Sequence, residues 1–322
     1  DQQKALFLAI ARGMCYAKVV PTRTEGSFLQ MKKLRGNLML LLTALIWGSA
    51  FVAQTVGMDH VGPFTFNCVR MFLGALVLLP VIAWREEHNP ANRKAHGLPE
   101  NGSGRVLAVG GIACGVMLFL GSSLQQCGLQ YTTPGKAGFI TALYVVLVPI
   151  AGLLFGRRPR WWVWLSVVMS AAGLWLLCMN GAEGLSLGDG LVLLCALAFT
   201  GHILCADHFS PLVDGVKLSC IQFFTCGVLS FIPMLFEHPN LGAILSAAVP
   251  ILYAGVLSSG VAYTLQIVAQ KDTDPTVASL ILCLESVFAV LAGALVLHQI
   301  PTGRELAGCV LMFVAIVLAQ RE

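Results

Sequence analysis

Charge is scarce in this sequence. Asp, Glu, Lys and Arg make up 11% of its 322 residues, against roughly a quarter in a soluble domain. Apolar residues reach 57% and the mean hydropathy is +0.80. A water-facing surface cannot be covered with so little charge, so lipid must solvate much of the outside. The formal net charge of +4 is therefore no nucleic-acid footprint, and nucleic acid is excluded as a partner. Metal and cofactor motifs are missing too. There is no Cys-x-x-Cys, no His-Glu-x-x-His, no Asp-rich metal motif and no Gly-rich phosphate loop, so no metal and no cofactor is expected. The eleven cysteines are odd in number. Cys68, Cys114, Cys178, Cys195, Cys220, Cys283 and Cys309 lie inside apolar runs, where Cys acts as a small hydrophobe rather than half of a disulfide framework.

Long apolar runs fill the rest. A crossing helix needs about 20 predominantly apolar residues, and ten windows supply them. They are Gly36–Met58, Phe64–Trp84, Val106–Gln130, Ala137–Gly156, Trp161–Met179, Gly188–Ala206, Lys217–Phe236, Ala243–Gln270, Thr276–His298 and Glu305–Gln320. The expected fold class is all-α integral membrane with ten transmembrane helices. Residues 1–30 mix Lys4, Arg12, Lys18, Arg23 and Glu25 with an apolar run too short to span, and Met31-Lys32-Lys33-Leu34-Arg35 then opens the first crossing. They are expected to be an extension outside the fold, an amphipathic surface helix being the alternative.

Basic residues fix the orientation. With the N-terminus inside, Lys32, Lys33, Arg35, Arg85, Arg93, Lys94, Arg105, Arg157, Arg158, Arg160, Lys217, Lys271 and Arg321 fall on the cytoplasmic side. Only Lys136 and Arg304 fall outside. The alternation holds through all ten spans and places both termini in the cytoplasm of a multi-pass inner-membrane protein.

One pattern occurs twice. Adding 141 to Leu124-Gln125, Pro134, Leu143 and Ala151-Gly152 gives Leu265-Gln266, Pro275, Leu284 and Ala292-Gly293, without a gap. A weaker match relates Gly36 and Ala44-Leu45 to Gly188 and Ala196-Leu197, shifted by 152. The expected domains are a first repeat over 31–179 (spans one to five) and a second over 180–322 (spans six to ten). Five helices per copy make the second copy enter from the opposite side. Such inverted repeats are an architecture of secondary transporters, with the solute between the halves near the midplane.

Trp47-Gly48-Ser49-Ala50-Phe51-Val52-Ala53-Gln54 resembles the opening of the drug/metabolite transporter superfamily, EamA family. Arg70, Gly135-Lys136-Ala137-Gly138-Phe139-Ile140 and Leu284-Glu285-Ser286-Val287-Phe288-Ala289 are similar to later family motifs in order. The resemblance covers nearly everything from Met31 onward. It implies two inverted five-helix repeats and export or uptake of a small solute, open among amino acids, nucleosides, sugars and drugs. A coupling proton is a further partner left open, besides the lipid bilayer. One departure is His298-Gln299, where many members carry a Glu.

Glu285 lies about ten residues into an apolar span, where a carboxylate costs about 2.5–3.5 kcal/mol. A substrate amine or a proton on the one hand, and a structural hydrogen bond on the other, both account for it. Trp47 and Gln54 share a helix face, as do Tyr263, Gln266 and Gln270. Gln125 is the repeat-mate of Gln266, and Tyr144 of Glu285. Trp47, Tyr144, Tyr263, Gln266 and Glu285 are the expected lining of a substrate cavity. Gln54, Arg70, Gln125 and His202 are secondary candidates, favoured as inter-helix contacts, with Arg70 near enough to the outer end of its span to snorkel. Gly111-x-x-x-Gly115 and Gly152-x-x-x-Gly156 read as close-packing faces. No enzyme is expected. The rival class is a lipid-acting membrane enzyme, for which His202-x-x-x-x-Asp207 matches a short acyltransferase motif.

Overall fold

The computed structural model describes residues 23–88, 100–132, 134–178, 186–296 and 302–319. His298-Gln299 and residues 1–22 lie outside the described residues. Among the described residues every regular element is a helix and none is a strand. Eight helical stretches are long and apolar enough to cross a bilayer, and Trp161–Leu176 is a shorter apolar helix. Only helices satisfy all backbone groups within one segment, which is what hydrocarbon demands of an open chain. The chain is a multi-pass membrane protein.

Helix α1 is Arg23–Met58, α2 Pro63–His88 and α3 Glu100–Leu129; α4 (Pro134–Ala142) and α5 (Tyr144–Leu154) follow, then α6 (Trp161–Cys178). Next come α7 (Leu187–Phe209), α8 (Gly215–Met234), the short α9 (Leu241–Ser246) and α10 (Ala248–Leu252), and a π-helical stretch Tyr253–Tyr263 that runs into α11 (Thr264–Gln270). The chain ends in α12 (Pro275–Leu282), α13 (Glu285–Val296) and α14 (Gly303–Ala319). Local chemistry starts several of them. Pro63, Pro134 and Pro275 occupy first helical positions, where the missing N–H costs nothing. Asp214 caps α8 through the N–H groups of Val216 and Lys217, and Ser186 with Asp189 forms a capping box on α7.

Three expected spans are not continuous. The fourth breaks at Leu143, between α4 and α5, and the ninth at Cys283-Leu284, between α12 and α13. Both breaks tighten the backbone in the same way. Leu143 (φ −60°, ψ −11°) and Cys283 (φ −64°, ψ −12°) have matching dihedrals, and Val146 and Ser286 bond back three residues rather than four. The two positions are 141 apart, within a residue, as the repeated pattern is. The eighth expected span begins as two short helices and widens into the π-helical stretch, where Gly255, Ser258, Ser259 and Gly260 are small. At the front, α1 starts at Arg23, eight residues ahead of Met31, so residues 23–30 continue the first helix rather than lying apart from it.

Side-by-side packing rests on small residues. Helix α3 lies along α7, α6 along α14, α8 along α2 and α3, and α13 and the π-helical stretch along α1. A Cβ on Gly188 would stand 2.6 Å from the Gly128 carbonyl oxygen and 2.9 Å from the Thr132 nitrogen. One on Gly36 would meet Thr273 at 2.6 Å and the Ala269 carbonyl at 3.4 Å. Gly36 and Gly188 match in the shift of 152, and Gly128 and Thr132 match Ala269 and Thr273 in the shift of 141. Gly36 within α1 thus touches the end of α11 and the turn after it, as Gly188 near the start of α7 touches the end of α3 and the turn after it. Gly111 and Gly115 do pack closely, against Ile221 and Thr225 of α8. Gly152 and Gly156 do not form a face. Helix α5 stops at Leu154 and Gly156 adopts φ 77°, so the second glycine is a left-handed terminator. Outward-facing Val168 (63% exposed) and Val317 (68%) show where lipid takes over from protein.

Charged partners gather at two opposite helix-end layers. Arg85 pairs with Asp214 at 3.2 Å and Lys217 with Glu86 at 2.6 Å. In the same layer Arg157 contacts both Asp207 and Asp274. At the other ends Glu237 accepts from the N–H groups of Phe64 (3.0 Å) and Thr65 (2.7 Å), and Thr132 bonds Asp189. Gly188→Ala should therefore cost about 1–3 kcal/mol by forcing α7 off α3. Gly190→Ala, whose Cβ meets nothing within 4 Å, should be neutral or stabilise by up to about 1 kcal/mol. Thermal unfolding of the purified variants in detergent measures both.

Candidate functional site

The helix breaks and the π-helical stretch surround one internal pocket. Its lining includes all nine residues singled out from the sequence: Trp47, Gln54, Arg70, Gln125, Tyr144, His202, Tyr263, Gln266 and Glu285. Phe51, Thr141, Phe199, Ile203, Ser258 and Leu282 complete it. The cavity measures about 40 Å³, room for a few water molecules and not for a solute of many atoms. The pocket is narrow in this conformation.

Each wall is set by its helix. Trp47 on α1 donates through Nε1 to the Ser258 carbonyl at 3.2 Å and packs against Tyr263 at a 56° tilt, ring centroids 4.5 Å apart. The Ser258 carbonyl belongs to the π-helical stretch, whose widened turn leaves acceptors for side chains. Gly48 lets α1 approach the break before α13, since a Cβ there would lie 2.5 Å from the Glu285 carbonyl oxygen. Tyr144 and Glu285 are the first residues after the two breaks. The Tyr144 hydroxyl donates to Glu285 Oε1 at 3.2 Å, so two positions 141 apart in the repeated pattern meet. Glu285 is 5% exposed.

Arg70 does not snorkel. It is 2% exposed, because its face of α2 turns inward and depth along a helix does not fix rotation about it. Its Nε donates to Asn67 Oδ1 at 3.0 Å. Asn67 Nδ2 in turn donates to Ser122 and Ser230, each at 2.9 Å, across α3 and α8. This fixed Asn67 holds the guanidinium of Arg70, a residue of the pocket lining. The sequence reading missed Asn67, although an Asn one helical turn before a buried Arg was a usable signal. It also missed Phe199 and Ile203, which adding 152 to Trp47 and Phe51 would have found.

The remaining candidates divide. His202 bonds Gln222 Oε1 at 3.0 Å and meets the Tyr263 ring edge-on. Gln125 donates to Thr141 at 3.1 Å. Both join helices and also line the pocket. Gln270 points away and donates to the Ile203 carbonyl at 3.0 Å. Gln54 Oε1 and Gln266 Oε1 are buried and without a hydrogen-bond partner among the described residues, which is costly for stability and suits a group kept for something that visits. The acyltransferase reading finds no support in the geometry. His202 and Asp207 lie about 140° apart around α7, the first bonded to Gln222 and the second to Arg157.

Comparisons with known proteins agree with one another. The profile of the EamA-like transporter family matches residues 34–179 and again 186–320. An uncharacterized transporter of Archaeoglobus fulgidus is 32% identical over 314 residues, 96% of this chain and 93% of that protein. The uncharacterized inner membrane transporter YedA of Escherichia coli is 23% identical over 273 residues, 83% of each. A crystal structure 19% identical in sequence superposes with a TM-score of 0.71, covering 88% of this chain and 96% of the other. The Archaeoglobus fulgidus and Escherichia coli relatives are named as transporters and not as enzymes.

Two substitutions separate a stabilising side chain from one kept for a solute. Asn67→Leu should lower stability by about 1–3 kcal/mol, because Arg70 loses its acceptor in a dry interior. Gln54→Leu should be close to neutral, since its oxygen has no partner to lose. Unfolding midpoints in detergent give both values.

Proposed function

We propose that this chain, which belongs to the EamA-like transporter family, is a secondary transporter that carries a small metabolite or drug-like solute across the cytoplasmic membrane. Alternating access between two inverted five-helix repeats is the mechanism. The observation that carries this reading is the meeting of Tyr144 and Glu285 at matching helix breaks beside the pocket. Broken helices near a midplane pseudo-axis are where secondary transporters hold their cargo.

The division into residues 31–179 and 180–322 is supported by the two stretches matched to the family, and by the reciprocal contacts of Gly36 and Gly188. Adding Trp161–Leu176 and Gly303–Ala319 to the eight longer stretches gives ten crossings. The basic residues put the Arg85, Lys217 and Arg157 layer in the cytoplasm, with both termini. On this reading Arg157, tied to Asp207 and Asp274, latches the inner end in this conformation. These pairs are partly exposed and exchange readily with water, as a gate requires. Trp47, Tyr144, Tyr263, Gln266 and Glu285 touch the solute, and Arg70 joins them. Glu285 binds a cationic group of the solute or a coupling proton, with Arg70, Tyr144, His202 and Tyr263 as the other titratable groups facing that space.

Topology is tested by reporter fusions. Those after Asp59 and Glu183 should read as external and those after Asn92 and Asp214 as internal; one reversed reporter sinks the five-plus-five arrangement. Transport is tested in proteoliposomes. Glu285→Gln keeps shape and hydrogen bonding while removing charge, so it should fold normally and lose solute flux or its dependence on a pH gradient. Full flux in this variant would reduce Glu285 to a structural contact.

A further inference from the structure

The short connection between α5 and α6 combines two features that no single solvent satisfies. It is six residues long, Phe155 to Arg160, and three of the six are arginine. Large apolar side chains stand out from the fold beside those charges: Leu154 is 85% exposed, Phe155 73% and Trp161 71%. Water is a poor surrounding for the apolar set, and hydrocarbon for the charged one. The boundary between lipid headgroups and acyl chains suits both.

The three arginines are not equivalent. Gly156, at φ 77°, ends α5, and the Arg157 N–H returns to the Gly152 carbonyl at 3.0 Å. Arg157 takes two carboxylates, Asp207 and Asp274. Arg158 and Arg160 are exposed, and neither has an ion pair among the described residues. Arg160 lies over the Trp162 ring, 4.8 Å from its centroid, and Trp162 meets Trp161 edge-on at 5.9 Å. Pro159 between the two arginines fixes a backbone angle, so part of the ordering is done before anything binds. The other repeat makes the corresponding connection with neither arginine nor aromatic over 297–302. In the shift of 141, Arg157 and Arg158 fall on His298 and Gln299, and Trp161 on Thr302. Joining two helices at this place therefore needs none of this chemistry.

We infer that the α5–α6 connection binds an anionic phospholipid, its phosphate taken by Arg158 and Arg160 and its acyl chains laid against Leu154, Phe155 and Trp161. Guanidinium groups match phosphate oxygens two bonds at a time. A zwitterionic headgroup brings its own ammonium against the arginines, so a net negative one is held more tightly. Free phosphate lacks the chains that cover the exposed aromatics. Such a site depends on the connection lying at a membrane surface and not on what the protein carries, so it stands or falls apart from the transport reading.

Native mass spectrometry of the purified protein measures the binding. The probes are dioleoyl phosphatidylglycerol, dioleoyl phosphatidylcholine and glycerol phosphate, which has the phosphate without the chains. Phosphatidylglycerol should bind about tenfold or more tightly than phosphatidylcholine, and glycerol phosphate more weakly than phosphatidylglycerol. Arg158→Gln and Arg160→Gln should each weaken phosphatidylglycerol about fivefold. Arg105→Gln, at an exposed arginine near the start of α3, should leave it unchanged, and Trp161→Ser should weaken both lipids. Equal binding of the two lipids, or a preference that survives Arg158→Gln and Arg160→Gln together, would overturn the inference. Glycerol phosphate bound as tightly as phosphatidylglycerol would overturn it too, leaving a phosphate site without a lipid. Should an arginine variant fail to fold, the ranking of the three probes by the unmodified protein decides, together with Trp161→Ser.

Discussion

Hydrocarbon offers a polar group no hydrogen bond, and this one deficiency governs every level of the molecule. It makes each crossing helical. It leaves Val168 and Val317 facing outward where a soluble protein would place Lys or Glu. It also removes the hydrophobic drive that holds soluble helices together, since lipid tails are as apolar as leucine. What remains is close contact, and the glycines at 48, 115, 128 and 188 allow it by letting backbone approach backbone. The same deficiency turns polar residues inward. Asn67, Ser122 and Ser230 satisfy one another across three helices, and Arg70 hangs on that knot.

Most of the architecture was legible because the spans are written in composition. Apolar runs, breaker residues and alternating basic loops do not depend on tertiary detail. The helix breaks were not legible. Leu143 and Cys283 are ordinary apolar residues in ordinary right-handed backbone, and neither residue type signals a tightened turn. The π-helical stretch did leave a trace in its small residues, Gly255 to Gly260, yet small residues equally mark plain helix contacts. Gly152-x-x-x-Gly156 misled for a related reason: spacing implies a shared face only if the helix continues, and α5 ends between them.

The pocket residues were legible to the extent that polarity inside a span is itself informative. Glu285, Gln125 and Gln266 stand out against their neighbours, and the repeat links them. Arg70 stood out too, but its depth suggested an escape to the interface that its rotation forbids. Phe199, Ile203 and Leu282 could not be told from lipid-facing residues by type. Their position relative to the repeat was the missing clue: the weak shift of 152 relates Phe199 and Ile203 to Trp47 and Phe51 on α1, and the shift of 141 relates Leu282 to Thr141 on α4.

A contact between corresponding positions of two copies carries a restriction of its own. Whatever stands at 144 faces its counterpart at 285 within hydrogen-bonding distance. Two glutamates so placed would bring like charges against each other, and one would have to give up its charge. Two tyrosines would meet hydroxyl to hydroxyl and leave the chamber without its acid. The chemistry of this spot therefore depends on the halves being unlike in one place while alike around it. A chain carrying both halves can hold that asymmetry permanently, whereas two identical half-chains assembled as a dimer never could.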